Sequence, residues 1–281
     1  VAVLGRLWLE GGKRRTSASV VLGSGALAAV TCGVFAIASL LTLVLWSFAG
    51  NWRFPDALPT SLTPEIWMRH WVEVGGPAVN TLVLGALSTA GALVLVLLCL
   101  ENEARSGQRT GIGTVWLLYL PLLVPQIAFM FGLQVWLVRL GADGALLAVV
   151  WAHLVFVLPY VFLSLADPYR ALDRRYERSS AALGVGPLGT FFRVKLPILL
   201  KPILVSAALG FAVSVAQYLP TLFAGSGRIA TLTTEAITLS SGADRRVLGV
   251  FGVLQAAMPT VTYLVALLIP MLIYRNRRGL A

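Results

Sequence analysis

Charged residues fall along the chain in bursts, separated by long charge-free runs. Six runs exceed twenty residues: 16–52, 74–100, 110–138, 144–166, 202–227 and 247–274. A helix rises about 1.5 Å per residue and the hydrocarbon core of a bilayer is about 30 Å thick, so roughly 20 apolar residues cross it. Backbone amides cannot go unpaired in lipid, so runs of this length are helical. The pattern predicts an all-α polytopic membrane protein with six transmembrane helices, near 20–48, 78–100, 115–138, 145–166, 199–224 and 248–274. Beyond Lys201 at the edge of the fifth, no Asp, Glu, Lys or Arg falls within them.

The polar stretches carry their own signals. In 49–76, Thr63-Pro64-Glu65 reads as N-cap, first-turn proline and acidic first turn of a short helix bearing Trp67 and Trp71. Such a helix either rests on the membrane interface or offers an external docking surface. In 167–201, Asp167-Pro168 reads the same way. Tyr169, Leu172, Tyr176, Ser180 and Leu183 then follow at helical spacing on one face. Gly184 is placed as a helix stop, and Gly186-Pro187 restarts the chain. Leu188, Phe191, Phe192 and Val194 give a second short helical turn, ended by Leu196-Pro197. In 225–246, Thr231-Leu232-Thr233-Thr234-Glu235 begins a helix that dips back toward the spans, and Asp244-Arg245-Arg246 faces outward; the stretch reads either as a solvated loop or as a contact for an external partner.

Composition narrows the class. Hydrophobic residues make up 58% and charged residues 12%, against about 45–50% and about 25% in soluble domains. Disorder is excluded by that hydrophobicity, and two cysteines exclude a disulfide scaffold or a multi-cysteine zinc module. The net charge of +10 points to a membrane surface and lipid rather than to nucleic acid. Sixteen Lys and Arg fall on the side of the termini and the loops at 101–114 and 167–201, and six on the other. The positive-inside rule therefore places both termini in the cytoplasm. The implied organisation is a cytoplasmic segment 1–19, a first helix 20–48, an external loop 49–76, a core 77–275 and a tail 276–281. The first apolar stretch is about twice the length of a signal-peptide core and carries no cleavage site. The chain opens on Val1, as a trimmed chain or the second half of a longer one does.

Polar residues within the spans are mild. Ser206, Gly210, Ser214, Gln217 and Thr221 form one stripe, read either as a helix-packing seam or as a pathway lining. Gln126 and Gln134 share a face near Pro121 and Pro125, which kink the third span. Gln255 precedes Pro259. His153 is either a hydrogen-bonded packing residue or a ligand, and His70, in the external loop, offers no metal site with it. Gln126, His153, Ser214, Gln217, Thr221 and Gln255 are the candidate pathway residues. Missing intramembrane acids disfavour a proton-driven carrier. A stand-alone carrier or channel is the alternative function, and it leaves the organised 167–197 stretch unexplained. A membrane-embedded protease fails for want of its motifs, so the chain is expected to be no enzyme.

The run Tyr176-Glu177-Arg178-Ser179-Ser180-Ala181-Ala182-Leu183-Gly184, then nine residues, then Val194-Lys195-Leu196-Pro197, resembles a known loop. It is the cytoplasmic Glu-Ala-Ala loop of the permease subunits of binding-protein-dependent type I ABC importers. Gly184 and Val194-x-Leu196-Pro197 match in spacing and type; Arg178-Ser179-Ser180 stand where the family has Glu-Ala-Ala. Asn80-Thr81-Leu82 resembles the opening of that family's core, and Thr231 to Arg246 looks closest to the branch moving thiamine, ferric iron and polyamines. The resemblance implies that Tyr176, Glu177, Arg178, Ser179, Ser180, Ala181, Leu183, Gly184, Leu196 and Pro197 couple to an ATPase. It also implies partners: two ATPase subunits, a second permease, same or homologous, and a periplasmic or lipid-anchored solute-binding protein. The setting would be the bacterial cytoplasmic (inner) membrane. No phosphate-cradling Gly-rich loop with Lys-Ser/Thr is present, so ATP and Mg belong to the partner chain and this chain needs no cofactor or metal of its own.

Overall fold

The computed structural model describes residues 17–52, 56, 58–242 and 244–274. The basic segment up to Arg15 and the tail from Arg275 lie outside the described residues. Among the described residues every regular element is a helix, and the one extended pairing is an isolated antiparallel bridge between Ala49 and Leu62.

Helix α1 (Ser17–Phe48) lies against α12 (Arg245–Ile273), from the other end of the chain. Helix α2 (Glu65–Ser106) departs from expectation. Instead of a short helix around Trp67 followed by a separate span, one 42-residue helix runs straight through Gly75-Gly76-Pro77. An internal proline removes one backbone hydrogen bond. Packing offsets it, because Ile66 and Val74 are buried against Leu232, Val250 and Phe251. Pro64 rather than Thr63 holds the N-cap position, with no side-chain cap.

The third crossing is two helices, α3 (Ile112–Leu123) and α4 (Gln126–Arg139), bent by 99°. A kink was expected and a break is found. Pro125 clashes with a helical residue before it, so Val124 takes φ −80° and ψ 138°, while Pro121 stays inside α3.

Helix α5 (Leu146–Arg170) continues through Pro168, so Asp167-Pro168 closes the fourth crossing rather than opening the next helix. Its last turn is held from outside: the Tyr169 hydroxyl donates to Glu101, and Arg170 lies 3.0 Å from Glu103. The single face expected from Tyr169 to Leu183 is thereby divided, because α6 (Arg175–Ala182) begins only after a turn. Helix α7 (Pro187–Thr190) starts at the Gly186-Pro187 restart, then passes through a π turn (Phe191–Lys195) into α8 (Leu196–Ile198). Leu196-Pro197 was expected to end this stretch. It opens α8 instead, since proline fits a first helical turn. The break falls at Leu199, and α9 (Leu200–Val215) leaves at 75°. The fifth crossing is interrupted again before α10 (Leu219–Gly225). Helix α11 (Leu232–Ser240) begins with a capping box between Thr231 and Thr234.

Helices α2, α5 and α9 form the centre, around Ala92, Val96, Leu100, Val157, Val161 and Leu165. Loops gather at two opposite ends. One end holds Glu101 with Lys195 and Glu103 with Arg170; the other holds Asp143 with Arg228, and Arg246 donating to the Gly50 carbonyl.

Candidate functional site

The stretch between the fourth and fifth crossings is a compact helical hairpin. Helix α6 ends on Gly184, whose φ is +76°, a left-handed conformation that glycine adopts without penalty. The Val185 N–H donates to the Ser180 carbonyl (3.1 Å) and the Gly184 N–H to the Ala181 carbonyl (2.9 Å). That is the paired Schellman closure of a helix C-terminus. Across the turn, the buried Ser180 and Thr190 hydroxyls bond at 2.8 Å. The outer face is apolar: Leu183 is 82% exposed, Leu188 67% and Phe192 62%. Arg178, Ser179 and Ala181 are exposed on the same hairpin. Three large apolar side chains exposed on so short a hairpin mark a surface that meets another molecule.

Beneath that face lies a buried charge cluster. Lys195 is 2% exposed. Its Nζ lies 2.7 Å from Glu101 and 2.6 Å from Glu177. Arg105 donates to Glu101 at 2.7 Å. Glu101 lies past the apolar part of α2. Burial alone pushes its carboxyl up, but hydrogen bonds from Lys195, Tyr169 and Arg105 outweigh that and hold it below the ordinary carboxylate value. A carboxylate lowered in this way stabilises the fold at neutral pH, and the contribution fades as pH falls through the lowered value.

A cavity of about 550 Å³ opens where the two broken crossings face each other. Pro125 and Gln126 line it from the α3–α4 break, Ala216 and Gln217 from the end of α9, and Phe156 and Tyr160 from α5. Irregular backbone at membrane depth is tolerated where it lines a cavity or is buried in protein. Beside it, His153 bonds Ser214 (2.7 Å) through Nδ1 and Thr221 (2.9 Å) through Nε2. Thr221 already donates to the Gln217 carbonyl, so it accepts from Nε2–H, and Ser214 donates to Nδ1. His153→Leu leaves both hydroxyls without that partner. It is expected to cost about 1–3 kcal/mol, read as a lower thermal midpoint of the detergent-purified protein, with His153→Gln losing less.

Comparison with known proteins settles what kind of chain carries this hairpin. The profile of the family described as "Binding-protein-dependent transport system inner membrane component" matches residues 104–277, more than half of the chain and the whole of the hairpin. The chain belongs to this family. It is similar to the "Inner membrane ABC transporter permease protein YnjC" of Escherichia coli, 37% identical over 202 residues, 72% of this chain and 38% of that protein. It is also similar to the "Molybdenum transport system permease protein ModB" of Mycobacterium tuberculosis, 32% identical over 185 residues, 59% of this chain and 70% of that one. The "Putrescine transport system permease protein PotI" of Escherichia coli is 28% identical over 141 residues, 48% of this chain and 50% of PotI. The matched part of YnjC is thus well under half of its length. The chain is an integral inner-membrane protein of this family.

Of the ten hairpin residues singled out in the permease sequence, Tyr176, Arg178, Ser179, Ala181, Leu183, Gly184 and Pro197 are exposed. Ser180 is turned inward onto Thr190, and Glu177 onto Lys195. Leu196 is half-buried, and the Pro197 carbonyl accepts from Tyr274 at 2.7 Å. Of the six pathway candidates, Gln126 and Gln217 line the cavity. His153, Ser214 and Thr221 are buried with one another, and Gln255 is half-buried on α12. Within the stripe, Ser206 bonds Ser164 at 2.9 Å, and a Cβ on Gly210 would lie 2.8 Å from Val161, so these two serve helix packing. Sequence reasoning missed Lys195, Glu101, Tyr169 and Arg105. The available signal was a lysine flanked directly by Val194 and Leu196.

Proposed function

We propose that this permease is one of two membrane subunits of an ATP-driven importer, with its hairpin docked in a groove of a separate ATPase. The other subunit is a second permease, same or homologous. Each permease takes one ATPase, and ATP and Mg are bound there. A solute-binding protein delivers solute at the opposite end. The hairpin end faces the cytoplasm, as the excess of Lys and Arg there favours. ATP-driven closure of the two ATPases moves the hairpins and switches the spans between inward-open and outward-open forms. The cavity at Gln126 and Gln217 is the pathway segment, where two amides and Tyr160 offer uncharged hydrogen bonds. The relatives are named for molybdenum in one case and putrescine in another, so the solute is set by the binding protein rather than read from these names.

One observation carries this reading: the exposed apolar face of Leu183, Leu188 and Phe192 on a rigidly closed hairpin. A stand-alone carrier has no use for it. The test is purification of the tagged permease from its native host in mild detergent, with identification of the subunits that come with it. An ATPase is expected in the wild type. With Leu183→Asp and Phe192→Asp combined, its yield is expected to drop at least about tenfold. Burying an unpaired carboxylate costs several kcal/mol, and about 1.4 kcal/mol is tenfold in affinity. A permease that purifies alone in the wild type, and transports alone, overturns the proposal.

A further inference from the structure

The hairpin must pass force to the membrane helices, and its attachment is narrow. Among the described residues, only two side-chain links leave α6 for another element: Ser180 to Thr190, which stays within the hairpin, and Glu177 to Lys195. Lys195 in turn holds Glu101 at the end of α2, and the Tyr169 hydroxyl, at the end of α5, donates to that same carboxylate. One ammonium thus ties α6 to α2 and, through Glu101, to α5. It sits on the last residue of a π turn, the kind of extra-residue turn that recurs at functional positions. The cluster of Lys195, Arg105, Glu101 and Glu177 carries two charges of each sign, so it is neutral as a set and intolerant of losing one member.

We infer that Lys195 is a positioning residue for coupling: it locks the ATPase-docked helix to the second and fourth crossings so that they move as one body. This rests on the proposed function, since only a docked hairpin has motion to pass on. With the lock intact, the distance from α6 to the end of α2 stays fixed through the ATP cycle. Without it, α6 follows the ATPase and the span lags.

Single loss of Lys195 leaves the Glu177 carboxylate unpaired and Glu101 with Arg105 as its one cation, and risks misfolding. The informative variant is therefore the triple Lys195→Met, Glu101→Gln, Glu177→Gln, which removes the tie and leaves no unpaired charge in the interior, since the remaining Arg105 side chain is 43% exposed and meets solvent. Nitroxides go on Arg175→Cys and Gln108→Cys, both exposed, after the exposed native thiols are removed as Cys32→Ala and Cys99→Ala. Distances are measured by pulsed electron spin resonance in the complex with its co-purifying ATPase, with and without ATP plus vanadate. The unmodified cluster is expected to give one narrow distance, unchanged by ATP plus vanadate; the triple variant should broaden and shift by several ångströms. Lys195→Arg, which keeps both ion pairs, is expected to match the unmodified cluster. A triple variant that assembles and keeps the fixed distance overturns the inference and reduces Lys195 to a stabilising residue. A triple variant that fails to assemble when Lys195→Met alone does assemble overturns it as well. Absence of any ATPase in the wild-type preparation instead sinks the proposed function, so the two failures are distinguishable.

Discussion

Gly249→Val is expected to release α1 from the rest of the protein. A Cβ at Gly249 would lie 2.6 Å from the Ser47 nitrogen and 2.9 Å from the Leu43 carbonyl oxygen. Both are backbone atoms of a helix, so no rotamer change relieves the overlap and the two helices must part. One turn on, a Cβ at Gly252 would sit 3.3 Å from Leu43, so the close approach spans a full turn. Overpacking of a side-chain core costs about 1–3 kcal/mol, and a clash with backbone sits at or above the top of that range. The offending atom is already present in Gly249→Ala, with valine worse. After a protease cut in the loop between Phe48 and Glu65, the wild-type fragments should stay together in mild detergent, whereas those of Gly249→Val should separate. Co-migration of the variant's fragments would show that α1 and α12 are not tightly packed at this point.

Gly184→Val is expected to lose most of the co-purifying ATPase while the permease remains in the membrane. No atom lies within 4 Å of a Cβ built there, so crowding is not the issue. The issue is φ +76°: the left-handed region costs an ordinary residue about 1–2 kcal/mol, and a β-branched one more. An eight-residue helix has little to set against that, so the Schellman closure opens and the placement of Leu183 relative to the second half of the hairpin is lost. Asparagine tolerates this conformation. Gly184→Asn should therefore keep ATPase yield within about twofold of wild type, while Gly184→Val falls roughly tenfold, as about 1.4 kcal/mol requires. Equal yields from the two variants would refute the conformational argument.

What could be read from the chain beforehand divides along physical lines. Long charge-free runs are local and strong, so an all-helical membrane protein was legible from them. Gly184 and Gly186-Pro187 were equally legible, because turn chemistry is written in adjacent residues. The errors fell where distant partners overrule a local signal. Asp167-Pro168 looks like a helix start, and only Glu101 and Glu103, more than sixty residues upstream, keep the fourth crossing going past it. Gly75-Gly76-Pro77 looks like a boundary, and packing on α11 and α12 carries the helix through it. Within the candidate site, spacing put Ser180 on the exposed face, and the family resemblance named Glu177 as a coupling group. Their inward turn depends on Lys195 and Thr190, which no periodicity points to. The Gln126–Gln217 cavity depends on two breaks meeting in space, and only the proline side of one was visible in sequence.

The unbroken α2 has a mechanical consequence. Its 42 residues, at about 1.5 Å each, make a rod of about 63 Å, twice the roughly 30 Å of hydrocarbon it crosses. Trp67 and Trp71 ride on one overhang, and Glu101 and Arg105 on the other. A tilt imposed at one tip is carried toward the other like the two seats of a seesaw, so in the proposed importer solute loading on one side and nucleotide turnover on the other would bear on the same helix.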